Sequence, residues 1–482
     1  MASESRTALR YLTGFRALPW AISTLILRLV RSPRATLEAL LRKVRLNHHF
    51  PLNVWHEYQL PIPIRKSLPH ASVNPIPNSV LHFVTNSLPY TQAGYTVRTQ
   101  SILTAQLNAG MNAAAVTRYG YPINIGKFFT GTKTDIRTEG SEKTVTYHHL
   151  IPQGLATNYE LENAAKYACK LVQKLRPEVI HAATDFVNGE IASAVAKATD
   201  LPFAYEVRGF LEQSWLAKDK LNSTDSPFYQ DFLSRENAVM QQANAITTLS
   251  ETMKNEIIKR GISSEKIYLT PNAVSDNLLQ INKSPSQARL EIGLSELPTF
   301  GIISTLYPFE NTSLLIAALE KLEDSGRQAQ LVIVGDGPDL LAVKDRAYKS
   351  RVKNRIYFFG RIPNKQISTY YQALDVFCVP RTRSRVTELV TPLKPLEAMA
   401  LNRPVLASNL PALAELISSG ETGLLVEPDS LSALTDSLDR LLYDSDYRMT
   451  LSSKAREWVA ANRTWSQVAQ TYRQVYQQLS KQ

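Results

Sequence analysis

From residue 79 onward the chain alternates short, strongly apolar runs with segments of helical period, and this alternation limits the fold more than any other feature. Apolar runs of strand length flanked by helices belong to sheets covered on both faces, the parallel α/β arrangement. Ser79–Thr85, Ala113–Arg118, Val179–His181, Phe203–Val207, Ala245–Leu249 and Ile267–Thr270 predict a first round of strands. After the polar stretch Lys283–Pro298 the pattern restarts at Thr299–Ser304, Gln330–Val334, Ile356–Phe359, Val376–Val379, Pro404–Ala407 and Leu424–Val426. A chain of 482 residues exceeds one ordinary core, so two α/β domains are expected. The reading places a basic helical segment and linker at 1–70, a first domain at 71–283 and a second at 284–464. The last helix, near Trp465–Leu479, has no strand after it and is expected to complete the first domain through residues 465–482.

Charge is unevenly placed. Residues 1–66 hold eleven Lys/Arg and three acids, so eight of the eleven net positive charges sit there and the body is near neutral. The basic balance therefore describes an N-terminal appendage, and a nucleic-acid partner gains no support. The apolar run 17–27 is too short to span a bilayer and lacks the small-residue cleavage site of a signal peptide. Two readings stand: a basic amphipathic helix on an anionic membrane surface, or a helical pair packed on the body. The prolines Pro61, Pro63, Pro69, Pro75 and Pro77 mark a linker. Cys169 and Cys378 form no framework and no HExxH spacing occurs, so no metal is expected and the compartment reads as reducing.

The punctuation of the second half carries chemistry. Leu331–Val334 runs into Gly335-Asp336-Gly337, a turn that permits close backbone approach to a ligand at the carboxyl end of a strand, though any tight strand-to-helix turn could use the same residues. In Thr391-Pro-Leu-Lys-Pro-Leu-Glu-Ala-Met-Ala400, Pro395 suits a first helical turn and places Lys394 at a positive helix end. Glu397, in that first turn, either accepts hydrogen bonds from a ribose diol or complements the helix dipole.

These segments occur in an order that resembles glycosyltransferase family 4. The run Tyr268–Ser275 with Asn272, then Gly335–Pro338, Phe359-Gly-Arg361, Tyr370–Pro380, Leu396–Ala400, Pro404–Ser408, Glu415 and Gly423–Val426 follow the family's sequence. Ser87–Arg98 resembles its first glycine loop, and His181 and Pro202–Gly209 its later strand ends. The resemblance spans about residues 79–480. It implies a GT-B fold, two facing Rossmann-like domains with parallel sheets, and a retaining, metal-independent transfer from a nucleotide-diphosphate sugar to a glycan or lipid-linked acceptor. It implies no cofactor and a role in cell-surface polysaccharide assembly, in the cytoplasm or peripherally at the inner face of its membrane.

By the same resemblance Arg208, Lys394 and Glu397 are the catalytic candidates. The donor side comprises Gly94, Asn272, Ser304, Gly335, Asp336, Gly337, Arg361, Arg381, Thr391, Leu393, Lys394 and Glu397; the acceptor side comprises Tyr95, Arg98 and His181. Three departures stand out. The family's first Glu, eight residues before Glu397, falls on Leu389, with Glu388 one residue out of step; its diphosphate-clamping Arg and Lys fall on Thr305 and Glu310; and Arg208 replaces a strand-end histidine. Either Arg361, Arg381, Arg383, Arg385 and Lys394 carry the relocated charge, or the chain has lost its clamp and serves as a binding or scaffold protein.

Overall fold

The computed structural model describes residues 60–127, 129–137, 143–152, 159–218 and 222–481, together with 19, 20, 22, 23 and 26. By contacts the chain divides into two compact units, residues 1–207 with 224–247 and 473–482, and residues 208–223 with 248–472.

The strands of the first half are β1 (Ser79–Val84), β2 (Asn112–Thr117), β3 (Lys133–Arg137), β4 (Thr144–His149), β5 (Val179–Ala183), β6 (Phe203–Val207), β7 (Ala245–Thr248) and β8 (Ile267–Leu269). Within the first unit the sheet runs β3-β4-β2-β1-β5-β6-β7. The pairs of β1 with β2 and β5, of β2 with β4 and of β5 with β6 are parallel, as expected. The edge hairpin of β3 and β4 is antiparallel and was not anticipated. Lys-Thr-Asp-Ile-Arg is polar but for Ile136 and has no buried residue, and Thr-Val-Thr-Tyr-His-His buries only alternate positions, so both lack the continuous apolar run that marks the inner strands.

The second unit holds a sheet of β9 (Thr299–Ile303), β10 (Gln330–Val334), β11 (Ile356–Gly360), β12 (Val376–Val379), β13 (Val405–Ser408) and β14 (Leu424–Val426), in the order β11-β10-β9-β12-β13-β14 and parallel throughout. Two apolar clusters cover its faces. One contains Val332, Phe377, Leu396, Met399 and Val405, the other Phe300, Leu319, Leu331, Leu406 and Leu438. Chain order reverses about β1 in the first unit and about β9 in the second, and open α/β sheets bind ligands beyond the carboxyl ends of strands at such points.

Among the described residues no helix is long and apolar enough to cross a membrane. Most of the N-terminal appendage lies outside the described residues. Within it Pro19, Trp20, Ile22, Ser23 and Ile26 are helical. Trp20 is 3% exposed, edge-on to Tyr119 at 5.9 Å and seated on Gly120, whereas Ile22 and Ile26 are about half exposed. This one side chain therefore packs on the body. The proline-rich stretch carries no regular structure, yet Ala71 N donates to Ala198 O and Ile76 N to Arg176 O.

Candidate functional site

The loops that leave β9, β10 and β11 are laced together by backbone. Ser304 N donates to Val334 O (3.0 Å), Leu306 N to Asp336 O (3.0 Å) and Gly335 N to Gly360 O (2.7 Å). A Cβ on Gly335 would lie 1.8 Å from Ser304 O, and one on Gly337 2.4 Å from Leu306 O. The two glycines are thus required by the close approach of the neighbouring loop. Ser304, Asp336 and Arg361 all sit on this laced rim, with Arg361 directly after Gly360.

Arg381 leaves the carboxyl end of β12, next to β9. Its guanidinium forms a two-point ion pair with Glu310, through Nη2 at 2.8 Å and Nε at 3.2 Å. The arginine side chain is 13% exposed and the carboxylate 5%, so the positive charge is matched by an acid of the chain itself. Thr382 N donates to Phe309 O, which fastens the same two loops. Arg383 pairs with Glu388 and Glu427, and Arg385 with Glu256 and Glu388.

Thr391, Leu393, Lys394 and Glu397 fall on and before the helix Lys394–Ala400. Pro395 sits in its first turn, as expected. Asn272, buried, donates Nδ2 to Thr391 O at 2.9 Å, so two expected donor-side residues meet each other. Lys394 and Glu397 are three positions apart and share a helix face. Among the described residues Lys394 makes no ion pair or hydrogen bond through its ammonium. Glu397 accepts a hydrogen bond from Tyr371 Oη at 2.7 Å on Oε2; burial raises its pKa, against the pull of Lys394 and of that hydrogen bond. Tyr371 is 1% exposed, and burial beside the carboxylate keeps its phenol neutral far above the usual range. In the sequence Tyr371 stands only within the family-like run Tyr370–Pro380, and no residue type there announces this contact.

The turn that carries Arg208 leads into the helix Leu211–Leu216. Gly209 faces Val390, whose Cγ2 would be 3.8 Å from an added Cβ. Phe210 lies under the Arg260 guanidinium at 4.2 Å, and Arg260 pairs with buried Glu212 (2.8 Å) and with Glu256 (3.2 Å), which in turn holds Arg385 at 2.7 Å. A ladder of charges thus ties the Arg208 turn to the segment that precedes Lys394. Glu415 takes another local role: its carboxylate accepts from the backbone N–H groups of Glu251 and Thr252, the first residues of the helix Glu251–Lys259.

The first unit assigns its residues differently. Gly94 begins the helix Gly94–Asn108 with open space around it, and Tyr95 is 41% exposed, its hydroxyl receiving Asn86 Nδ2. Arg98 and His181 are interior. Arg98 is 3% exposed and holds Glu206 Oε1 through Nη2 (2.7 Å) and Nε (3.0 Å). His181, fully buried, has Nε2 3.4 Å from Glu206 Oε2, and its Nδ1 meets Tyr476 Oη at 2.5 Å. An acceptor at the surface meets neither side chain in this arrangement. The paired Arg98 guanidinium compensates the charge of Glu206, the acid of Glu-Val-Arg-Gly, inside the fold.

Two family models match the chain: "Glycosyl transferase 4-like domain" over residues 93–273 and "Glycosyl transferases group 1" over residues 291–458. The GDP-mannose-dependent alpha-(1-6)-phosphatidylinositol monomannoside mannosyltransferase of Mycobacterium tuberculosis is 30% identical over 204 residues, 42% of this chain and 53% of that protein. The chain thus spans about half the length of that curated relative. Among solved structures, sucrose-phosphate synthase from Thermosynechococcus elongatus superposes with a TM-score of 0.67 at 19% identity, covering 83% of this chain and 99% of that one. Anabaena HepE in complex with UDP gives 0.63 at 16% identity, covering 84% and 100%. With two α/β units of parallel strands and both models matched in order, the chain belongs to the group 1, family-4-type glycosyltransferases and has their GT-B class of fold.

Proposed function

We propose that the protein is a retaining, metal-independent glycosyltransferase that moves a sugar from a nucleotide-diphosphate sugar to a glycan or lipid-linked acceptor. The observation that carries this reading is the pair on the helix Lys394–Ala400: an ammonium with no partner among the described residues, one turn from a half-buried carboxylate whose Oε1 has none. A sugar nucleotide offers both complements, a diphosphate for Lys394 and a ribose diol for Glu397. In departure, the leaving diphosphate gains negative charge that fixed cations stabilise. Lys394 supplies one such cation, Arg361 and Arg381 follow the carboxyl ends of β11 and β12 in the same sheet, and Arg208 follows β6. The backbone of Ser304, Gly335–Gly337, Asn272, Thr391 and Leu393 shapes the donor side, and Gly94 with Tyr95 the acceptor side. On this reading residues 71–283 with 465–482 take the acceptor and 284–464 the donor, whereas by contacts residues 208–223, 248–283 and 465–472 group with the second unit. The known acceptors among relatives include a phosphatidylinositol monomannoside. A basic appendage on an anionic membrane, at its cytoplasmic face, suits an acceptor of that kind.

The test is titration of the full chain with UDP-, GDP-, ADP- and dTDP-sugars in EDTA, followed by calorimetry and thermal shift. Binding of one nucleotide class raises stability by mass action and supports the reading. Folded protein that binds none of them overturns it and favours the scaffold role, to which the internally matched Arg381–Glu310 pair would then belong.

A further inference from the structure

Tyr371 lies on the helix Ile367–Gln372, its ring in the core of the second unit and 5.3 Å from that of Phe377 on β12. A buried phenol requires an acceptor, and a backbone carbonyl is the usual choice. Here the acceptor is instead the half-buried carboxylate of Glu397. The arrangement is directional. Tyr371 approaches from the protein interior and occupies Oε2; Oε1 makes no hydrogen bond among the described residues. A glutamate has three side-chain torsions, and a fixed donor from the core removes most of that freedom before any ligand arrives. The phenol, held neutral, remains a donor throughout the working pH range.

We infer that Tyr371 is a positioning residue: its hydroxyl holds the Glu397 carboxylate in the orientation that presents Oε1 to the hydroxyls of the donor ribose. The inference rests on the donor-site reading above. It goes beyond that reading by making ribose recognition depend on a core side chain that touches no ligand.

The experiment uses the full chain and two probes, the nucleoside diphosphate that binds best and its 2′,3′-dideoxy analogue, measured calorimetrically. Wild-type protein is expected to favour the ribonucleotide. Tyr371→Phe keeps the ring and loses the donor, so affinity for the ribonucleotide falls about tenfold while that for the dideoxy analogue stays within about twofold. In a Glu397→Ala background, Tyr371→Phe is expected to weaken neither further, because it acts only through the carboxylate. Equal weakening of both probes, or the same loss with Glu397 absent, would mean that the hydroxyl serves the core alone and would overturn the inference. A wild-type protein that binds both probes equally would overturn the donor-site assignment of Glu397, and this inference with it. Retained near-ultraviolet circular dichroism in Tyr371→Phe separates either result from misfolding.

Discussion

Replacing Arg381 by methionine distinguishes a charge that serves the fold from one that serves a ligand. The guanidinium and the Glu310 carboxylate are 13% and 5% exposed and meet at two points, so removing the arginine leaves a buried, uncompensated anion. Breaking such a pair from one side costs about 3–5 kcal/mol. Removing both charges with Glu310→Gln/Arg381→Met leaves no buried charge, and the double variant should return to within about 1 kcal/mol of wild type. Urea unfolding followed by the tryptophans of the second unit, Trp215, Trp458 and Trp465, reports the relevant transition. The stable double variant then tests ligand binding without the confusion of instability. A charge-assisted bond from Arg381 to a diphosphate contributes about 1.5–3 kcal/mol, so its loss should weaken nucleotide affinity about ten- to a hundredfold. Unaltered affinity would show that the charge of Arg381 is committed to Glu310 and leaves the diphosphate to Lys394 and Arg361. A cost below about 1 kcal/mol for Arg381→Met alone would refute the pairing itself.

His149 is buried between Thr117 and Thr134, and burial depresses its pKa to about 4. The unfolded chain takes up that proton near pH 6.5, so stability present above pH 6.5 should be lost as pH falls toward 4, by about 3 kcal/mol. His149→Gln should flatten this part of the profile in urea titrations between pH 7 and 4.5, and an unchanged slope would place the titration elsewhere. Gly337→Ala puts a Cβ 2.4 Å from Leu306 O and should destabilise the second unit by about 2 kcal/mol or more, read from the same unfolding curve; an unperturbed midpoint would show that the laced loops are looser than their hydrogen bonds indicate. Glu397→Ala should weaken nucleotide binding and, by leaving the buried Tyr371 hydroxyl without its acceptor, lower stability by about 1–3 kcal/mol; unaltered nucleotide binding would assign the carboxylate to that hydroxyl alone. A chain lacking residues 1–66 should cease to sediment with anionic liposomes, and undiminished sedimentation would remove the appendage from membrane binding.

Nearly all inner strands were legible because a strand buried on both faces is apolar along its length, and the short, β-branched runs Leu331–Val334 and Val376–Val379 fit that pattern better than a helix of such length. The hairpin of β3 and β4 escaped because an edge strand keeps one face wet and its pattern resembles a loop. Family membership was legible for another reason, the joint order of many weak motifs. The roles of single residues were not. Arg98, Arg381 and Lys394 are all cations in suggestive positions, and their sequence neighbourhoods do not tell them apart. Only folding brings Glu206 to Arg98 and Glu310 to Arg381, across 108 and 71 positions, and leaves Lys394 without an ion pair among the described residues. Likewise Tyr371 meets Glu397 across 26 positions. Local sequence determines strand, helix and turn because those depend on periodicity and on backbone freedom at glycine and proline. Which charge is already matched, and which stays open to a ligand, depends on distances between segments far apart in the chain, and the tertiary structure alone decides it.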